Sequence, residues 1–227
     1  MDHVLDNPVW HALHDRQAGF GEVNALAARY LPAFSPIAAL REPTRDAVEA
    51  LADLCGADPA VVLTLVPQLP AIPRLRVMRS VSLRQMACDV APSPVPLDAM
   101  PVGTADTDEV LALVALTQPG PFAQRTLELG NYLGVRRGGR LLAMTGERVK
   151  LPGWTEVSGV CTHPDGRGEG HALALVIAVT NAIFARGERA FLHVALGSPS
   201  EKTATRVYER AGFYTRRQIY IHALAPV

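Results

Sequence analysis

The sequence predicts an α/β fold, in the α+β sense of a mixed sheet with helices packed on it, and two observations lead to this prediction. The second half of the chain alternates strand-like and helix-like apolar segments in the order β-α-β-β-β-α-β-α-β. The composition fits a packed domain, because 48% of the 227 residues are hydrophobic and 19% are charged. Disorder is therefore excluded for most of the chain.

The charge balance argues against general attraction to polyanions. Twenty-two Lys and Arg residues face 22 Asp and Glu residues, so no net field would gather nucleic acid or an anionic membrane. The longest apolar run, residues 172–179, is far shorter than the roughly 18 residues of a membrane span. The N-terminus lacks the basic and apolar segments of a signal peptide. We expect a cytoplasmic protein with neither nucleic acid nor membrane as a partner.

Cysteine and histidine spacing predicts neither a disulfide framework nor a metal site. Cys55, Cys88 and Cys161 are widely spaced and form no CxxC pair. We expect them to be buried as small apolar side chains. His11 and His14 stand three residues apart, but spacing places no further metal ligand beside them.

A proline-rich segment divides the chain into two predicted regions. Residues 90–96 contain three prolines within five residues, which neither a helix nor a central strand accommodates. We predict a smaller accessory α/β region over residues 1–92. The second region, residues 93–227, is predicted to be the functional domain.

In the accessory region, residues 22–30 are predicted to form a short helix, and Thr44 to cap a helix that ends before Gly56. Residues 61–66 and 75–88 are predicted to be extended. The second of these segments alternates in part, so it is expected to pack against the other region's sheet or against another subunit of a homodimer. Its apolar positions are Leu75, Val77, Val81 and Leu83.

The elements of the second region follow from periodicity and turn residues. Asp106 or Asp108 is expected to cap the first helix, and Gly138-Gly139 suits a two-residue β-hairpin. The predicted strands cover residues 97–102, 132–137, 140–144, 155–162, 190–196 and 213–223, and the predicted helices cover residues 110–116, 172–185 and 201–210.

The segment most informative about function is a strand, a turn and a helix over residues 156–172. The strand ends at Thr162, the turn contains Gly166, Gly168 and Gly170, and an apolar helix begins near His171. Such glycines let backbone N–H groups converge on an anion, and the helix N-terminus adds its positive end. The segment predicts a phosphate or pyrophosphate cradle. Neither a Rossmann GxGxxG nor a P-loop fits its register.

This segment resembles the pyrophosphate turn of the GNAT superfamily of acyl-CoA-dependent N-acyltransferases, whose pattern is Arg/Gln-x-x-Gly-x-Gly/Ala. Arg167, Gly170 and Ala172 stand at the fixed positions. Residues 204–213 resemble a second motif of that family, Ala-x-x-x-Tyr-x-x-x-Gly-Phe, with Tyr208 as its tyrosine. The order of elements is also similar to that of the family. The resemblance covers residues 97–227.

The resemblance implies an acetyltransferase that uses acetyl-CoA as co-substrate and no metal. The acetyl group would pass to a primary amine of a small molecule or peptide by direct attack in a ternary complex. Backbone amides would bind the pyrophosphate, and main-chain groups at the strand end would bind the pantetheine. The cofactor-binding residues implied are Val160, Cys161, Thr162, Arg167, Gly168, Glu169, Gly170, His171 and Ala172.

The resemblance also implies two catalytic residues. Tyr208 would protonate the leaving thiolate, and Glu156, eleven residues before Arg167, would be the general base. Desolvation is expected to raise the pKa of Glu156 toward neutrality. His163 and His193 are the alternatives as base. The competing function is a non-catalytic acyl-CoA-binding or regulatory module.

Overall fold

The computed structural model describes residues 3–227, which form one 11-stranded mixed sheet with helices on both faces. The predicted fold class is confirmed. The strands are β1 Gly21–Val23, β2 Ala27–Tyr30, β3 Ile37–Leu40, β4 Ala60–Thr64, β5 Leu75–Cys88, β6 Met100–Val102, β7 Tyr132–Arg137, β8 Arg140–Leu151, β9 Trp154–Thr162, β10 Arg189–Ala195 and β11 Tyr214–Pro226. The helices are α1 Pro8–Leu13, α2 Arg45–Cys55, α3 Thr107–Thr117, α4 His171–Phe184 and α5 Glu201–Arg210.

The strand order along the sheet is β1-β2-β3-β4-β11-β5-β10-β9-β8-β7-β6. Strand β5 comes from the first half of the chain, yet it lies between β10 and β11 and is antiparallel to both. The predicted boundary at residue 92 thus separates β5 from the two strands with which it pairs. Leu75 and Leu83 are buried, whereas Val77 is 42% exposed in the single chain, so packing of Val77 against another subunit stays a prediction.

Alternation along the strands gives the sheet two apolar faces. On the front face, Phe191 and Trp154 pack with Leu5 and other residues of the N-terminal segment and α1. On the back face, Leu192 and its neighbours pack against α4 and α5. Helix α3 covers the front of β8 and β9, and α2 covers the back of β2, β3 and β4. Among the described residues, no helix is both long and apolar enough to cross a lipid bilayer.

The predicted helix over residues 22–30 is wrong, because this segment forms β1 and β2. Asn24 turns the chain between them, and its side-chain oxygen accepts hydrogen bonds from Leu26 N and Ala27 N at 3.0 and 2.8 Å. All four residues of β2 are buried, with Ala28 facing the front and Ala27 the back. Burial on both faces favours a strand over a helix with one polar side.

Several local predictions are confirmed. Thr44 Oγ1 accepts a hydrogen bond from Ala47 N at 3.2 Å and so caps α2. Both glycines of the β7–β8 hairpin have positive φ, 58° at Gly138 and 83° at Gly139, as a type I′ turn requires. Asp106, however, accepts from Gly103 N at 2.9 Å in the preceding 3-10 turn and does not cap α3 through its side chain. All three cysteines are free and buried.

The order and direction of the strands repeat in the two halves of the sheet, in the arrangement that a two-fold axis perpendicular to the sheet between β5 and β11 would produce. In each half, three antiparallel strands are followed by a helix and a strand parallel to the third: β1-β2-β3-α2-β4 in the first and β7-β8-β9-α4-β10 in the second. The halves exchange their last strands, since β5 pairs with β10 and β11 with β4. Helices α2 and α4 consequently lie on the same face.

Candidate active site

Strands β9 and β10 separate part of the way along and leave a V-shaped opening. Their parallel pairing runs from Arg189 opposite Trp154 to Phe191 opposite Glu156 and then stops. Beyond that point β9 continues to Thr162, paired only with β8, and β10 continues to Ala195, paired only with β5. We call this opening the first cleft. One edge of each strand faces it without a strand partner.

The main chain of β9 offers hydrogen-bonding groups to the first cleft. His163 N donates to Leu142 O of β8 at 2.7 Å, so the peptide groups of His163 face β8. Because successive residues of a strand alternate in direction, those of Thr162 and Val160 face the cleft. Gly159, with a φ of 64°, lies at the shift of register with β8. This geometry supports the main-chain role predicted for Val160 and Thr162.

The turn before α4 presents a row of amides. Within residues 3–227, the amides from Gly168 to Leu173 have no hydrogen-bond acceptor, and the first helical bond runs from Ala174 N to Gly170 O at 3.1 Å. Gly168 and Gly170 have φ of 83° and 81°, and a Cβ at either position would meet no atom within 4 Å. The space beside both glycines is therefore open. We call residues 168–173 the cradle, and they fit a pyrophosphate.

A carboxylate lies within the cradle segment. Glu169 forms an ion pair with Arg137 of the β7–β8 hairpin, and its Oε2 lies 3.2 Å from His171 Nε2. The hydrogen bond from Arg137 lowers the pKa of Glu169, so this side chain is ionised at neutral pH. A cavity of about 390 Å³ adjoins it, between the start of α4 and residues 96–98. The Glu169 carboxylate thus lies in the segment that would bind an anion. It also forms an ion pair with Arg137, so this guanidinium is not free to bind the anion.

Glu169→Gln is expected to tighten the binding of pyrophosphate to the cradle by about 2- to 5-fold at low salt, because a charge at a helix start is removed and Arg137 is freed. The gain should shrink as salt rises. Calorimetry at two ionic strengths measures it, with Glu22→Gln, an exposed carboxylate on β1, as the matched control. Weaker binding by Glu169→Gln would contradict this account of the cradle.

Tyr208 projects from α5 into the cluster that lies behind the first cleft. Its side chain belongs to the same buried cluster as Val157 of β9 and Leu192 of β10, one residue from each side of the cleft. Burial raises the pKa of the Tyr208 hydroxyl above its usual value, and the nearby Cys161 thiol adds to this effect. The hydroxyl is therefore protonated at neutral pH. This state is the one that a proton donor requires.

Glu156 lies at the base of the first cleft and is 1% exposed. Arg148 binds both its carboxylate oxygens at 2.9 and 3.0 Å, and His193 Nδ1 lies 2.9 Å from Oε1. Burial by itself would raise the pKa of Glu156, but the Arg148 charge and the His193 hydrogen bond outweigh it and lower the pKa to about 2. The predicted rise is wrong, since Arg148 compensates for desolvation. A carboxylate of such low pKa is a weak proton acceptor.

The two alternative bases, His193 and His163, also contact other polar groups through their ring nitrogens. His193 Nε2 contacts Gln85 Nε2 at 3.2 Å, and the same amide nitrogen donates to Leu5 O at 2.8 Å. His163 Nδ1 accepts from Asp165 N at 3.1 Å in the turn after β9, and its Nε2 contacts Arg140. His193 is therefore part of a buried polar network, and His163 stabilises a turn.

Sequence reasoning missed Arg148 and Tyr132. The β8–β9 hairpin places Arg148 beside Glu156. In the sequence, these two opposite charges lie eight residues apart on either side of the turn residues Pro152-Gly153, and this spacing could have predicted the ion pair. Tyr132 is 2% exposed, and its hydroxyl has no hydrogen-bond partner among the described residues. Its ring lies beside the Gly159 bulge. Over residues 3–227, no group of three His, Cys, Asp or Glu side chains could hold a metal ion.

A family model and several solved structures are similar to this chain. Residues 132–221 match the family model of FR47-like proteins. A solved structure from Novosphingobium aromaticivorans, assigned to the GNAT family of acetyltransferases, is 38% identical over 100% of both chains, with a TM-score of 0.90. No curated protein is significantly similar to the chain.

Two further solved structures share the fold at lower identity. A GCN5-related N-acetyltransferase from Kribbella flavida is 17% identical over 91% of this chain and 88% of that one, with a TM-score of 0.57. A GCN5-related N-acetyltransferase-like protein from Streptococcus suis is 14% identical over 97% and 92%, with a TM-score of 0.60. These two similarities concern the fold alone.

Proposed function

Because the chain belongs to the GNAT family of acetyltransferases, we propose that it transfers an acetyl group from acetyl-CoA to a primary amine. The observation that carries this proposal is the continuity of the first cleft with the cradle. Strand β9 leads directly, through the turn at residues 163–170, to the unbonded amides at the start of α4. An acyl-CoA has the matching parts in the same order: an arm with two amides and a pyrophosphate.

The residues present fit that co-substrate. The cradle amides would hold the pyrophosphate, with Arg167 exposed beside them, and the main chain of Val160 and Thr162 would hold the pantetheine amides. The acetyl group would then lie at the base of the cleft, between Glu156 and Tyr208. Bound acetyl-CoA supplies the thioester carbon that an amine attacks.

The reaction would run by direct attack. A neutral amine attacks the thioester carbon, the C–S bond breaks, and Tyr208 donates its proton to the thiolate. The amine loses its proton to water, and Tyr208 regains one from water. Glu156 cannot accept that proton readily, because Arg148 and His193 hold it ionised. Glu156 is instead a positioning residue that joins β9 to β8 and β10 where the cleft begins. Turnover should therefore follow the ionisation of the amine itself.

One observation favours a second candidate, a non-catalytic acyl-CoA-binding module. Glu156, His163 and His193 all have their proton-accepting atoms in contact with other described residues. A chain that kept only the binding site would show this pattern. The presence of a protonated Tyr208 behind the cleft favours the enzyme.

A thiol-release assay separates the two candidates. The whole chain is incubated with acetyl-CoA and a panel of primary amines between pH 6.5 and 9.5, and acetylated products are detected by mass spectrometry. We expect equal amounts of CoA thiol and acetyl amine, at a rate that rises with pH as the amine loses its proton. Acetyl-CoA binding without amine-dependent thiol release at any pH would support the module.

Tyr208→Phe is expected to lower kcat by about 100-fold, because a general acid contributes about 10²- to 10⁴-fold. The affinity for acetyl-CoA should change by less than about 2-fold, since the ring and its packing remain. Steady-state kinetics and calorimetry test both statements. Tyr214→Phe, which removes an exposed hydroxyl bonded to Asp89, is the matched control. An unchanged kcat in Tyr208→Phe would show that the proton comes from elsewhere.

A further inference from the structure

A second open strand edge lies on the other side of β10 from the first cleft, and it belongs to β5. Strand β10 pairs with β5 only over residues 83–88, and one further hydrogen bond runs from Leu196 N to Ser82 O at 2.9 Å. In the described part of the chain, residues 76–81 have a strand partner only in β11. Residues 76–80 are exposed. Ser80 therefore lies on a strand edge that solvent and small molecules can reach.

The side chain of Ser80 contacts a buried histidine on the neighbouring strand. Ser80 stands directly opposite His222 of β11 in the antiparallel pairing. Because Ser82 O bonds toward β10, Ser82 and Ser80 both form non-hydrogen-bonded pairs with β11, in which side chains approach most closely. Ser80 Oγ lies 2.8 Å from His222 Nδ1. The hydroxyl is on an exposed residue, whereas His222 is 0% exposed.

The second ring nitrogen of His222 determines where the ring carries its proton. His222 Nε2 lies 3.1 Å from Val66 O and 3.1 Å from Thr64 Oγ1. The Thr64 hydroxyl donates its own proton to the same Val66 O at 2.9 Å. A carbonyl oxygen can only accept, so the proton lies on Nε2. Nδ1 is then left as the acceptor for the Ser80 hydroxyl proton.

Burial keeps this ring uncharged. It lowers the pKa of His222 below its ordinary value, and the hydrogen bond to Val66 O opposes this effect only in part. The ring is therefore neutral at neutral pH, which is the form that a general base requires. A hydroxyl bonded to a neutral base, with that base oriented by a third group, is the arrangement of an activated nucleophile.

The main chain at Ser80 can stabilise a negative charge that develops beside the hydroxyl. The peptide groups of Ser80 face the same edge as those of Ser82, because residues two apart in a strand point the same way. Strand β10 does not extend that far, so Ser80 N has no strand partner among residues 3–227. A free N–H group next to a nucleophilic oxygen is a donor for an oxyanion.

Ser82 provides an internal comparison, because it shares the strand and the face of Ser80 but not the histidine. It lies opposite Tyr220, and its Oγ accepts a hydrogen bond from Gln218 Nε2 at 3.2 Å. An amide group is not a base. The two serines therefore differ in the one feature that would activate a hydroxyl.

We propose that Ser80 and His222 form a second acyl-transfer site, at which Ser80 Oγ takes the acyl group of an activated carboxylic ester. The oxygen attacks the carbonyl carbon, and its proton passes to His222 Nδ1. The C–O bond to the leaving group breaks, and the leaving oxygen takes this proton. His222 is then neutral again, and Ser80 carries the acyl group as an ester.

The site is expected to react once rather than turn over rapidly. Val66 O is an uncharged group and stabilises a charged imidazole ring less than a carboxylate would. The site shares no residue with the first cleft or the cradle and needs no acetyl-CoA. Its failure would therefore leave the proposed amine acetylation untouched, and the reverse also holds.

The test treats the whole chain with p-nitrophenyl acetate, an activated ester, and locates acetyl groups on its peptides by mass spectrometry. We expect Ser80 to be acetylated at least about 100-fold faster than Ser82, because a general base contributes about 10²- to 10⁴-fold. Both serines are read in the same sample, so this comparison needs no variant. Equal rates at the two serines, or no acetyl group on Ser80, would overturn the proposal.

Variants test the role of each group through the release of nitrophenolate. The parent chain should give a rapid release stoichiometric with the chain, which Ser80→Ala loses and Ser82→Ala, the matched control, retains. His222→Gln removes the acceptor beside Ser80 and should slow this release about 100-fold. An amide spectrum establishes that each variant is folded. If His222→Gln does not fold, the two serine variants decide the matter: equal release from Ser80→Ala and Ser82→Ala would refute the site.

Discussion

Gly170→Glu is expected to abolish measurable acetyl-CoA binding while the chain stays folded. The new Cβ and carboxylate would enter the open space beside the cradle, where the pyrophosphate would lie. A hydrogen bond to a charged group is worth about 1.5–3 kcal/mol. Loss of only two such bonds therefore weakens binding at least about 100-fold, and like-charge repulsion adds to it. Calorimetry with acetyl-CoA measures this loss.

Backbone strain is the alternative cause of such a loss, because Gly170 has a φ of 81° that side chains rarely adopt. Gly187→Glu provides the matched control. Gly187 has a φ of 78° in the turn after α4, and a Cβ there also meets no atom within 4 Å. This variant carries the same strain and charge away from the cradle and should bind acetyl-CoA normally. Equal loss in both variants would contradict the cradle assignment.

Arg148→Met is expected to destabilise the folded chain by about 3–5 kcal/mol, the usual cost of removing one partner from a buried ion pair. The Glu156 side chain is almost inaccessible and that of Arg148 is 13% exposed, and the guanidinium makes two of the three polar contacts of that carboxylate. Urea unfolding at pH 7 measures the loss. The double variant Arg148→Met/Glu156→Gln leaves no unpaired charge and should recover part of the stability.

The effect of Arg148→Met should depend on pH in a defined direction. In the parent chain the pKa of Glu156 falls from 4.5 to about 2 on folding, so its stabilisation is present above about pH 4.5. That stabilisation is lost as the pH falls through about 2. In the variant, the buried carboxyl can bind a proton more readily. The difference in unfolding free energy should therefore be smaller at pH 4 than at pH 7, and a constant difference would refute the ion-pair account.

The cradle could be predicted from the sequence because it is local. Gly168, Gly170 and the start of α4 lie within a few residues of one another, and their backbone conformation follows from residue type. The ionisation of Glu156 could not be predicted in the same way. It depends on Arg148 across a hairpin and on His193 from a strand 37 residues further along.

The place of β5 in the sheet could not be predicted from the sequence for another physical reason. The pattern of residues 75–88 predicts a strand but does not say which strands are its neighbours. In the fold, this strand pairs with β10 and β11. The two halves share a topology without a shared motif, since α2 begins with Thr44 as a side-chain cap whereas α4 begins after Gly170. Residues 22–30 form strands and not the predicted helix, because burial on both faces, rather than helix propensity, decides their structure.

Acyl-CoA binding by the first cleft and its cradle underlies the proposed acetyl transfer. Amide shifts of the ¹⁵N-labelled chain on titration with CoA test this binding most directly, because each shift belongs to one residue. We expect the largest shifts at residues 160–162 and 168–173, with little change at residues 40–47 and 63–65. Shifts confined to residues 40–47 and 63–65, or no saturable shift at the cradle, would contradict the binding of acyl-CoA in the first cleft.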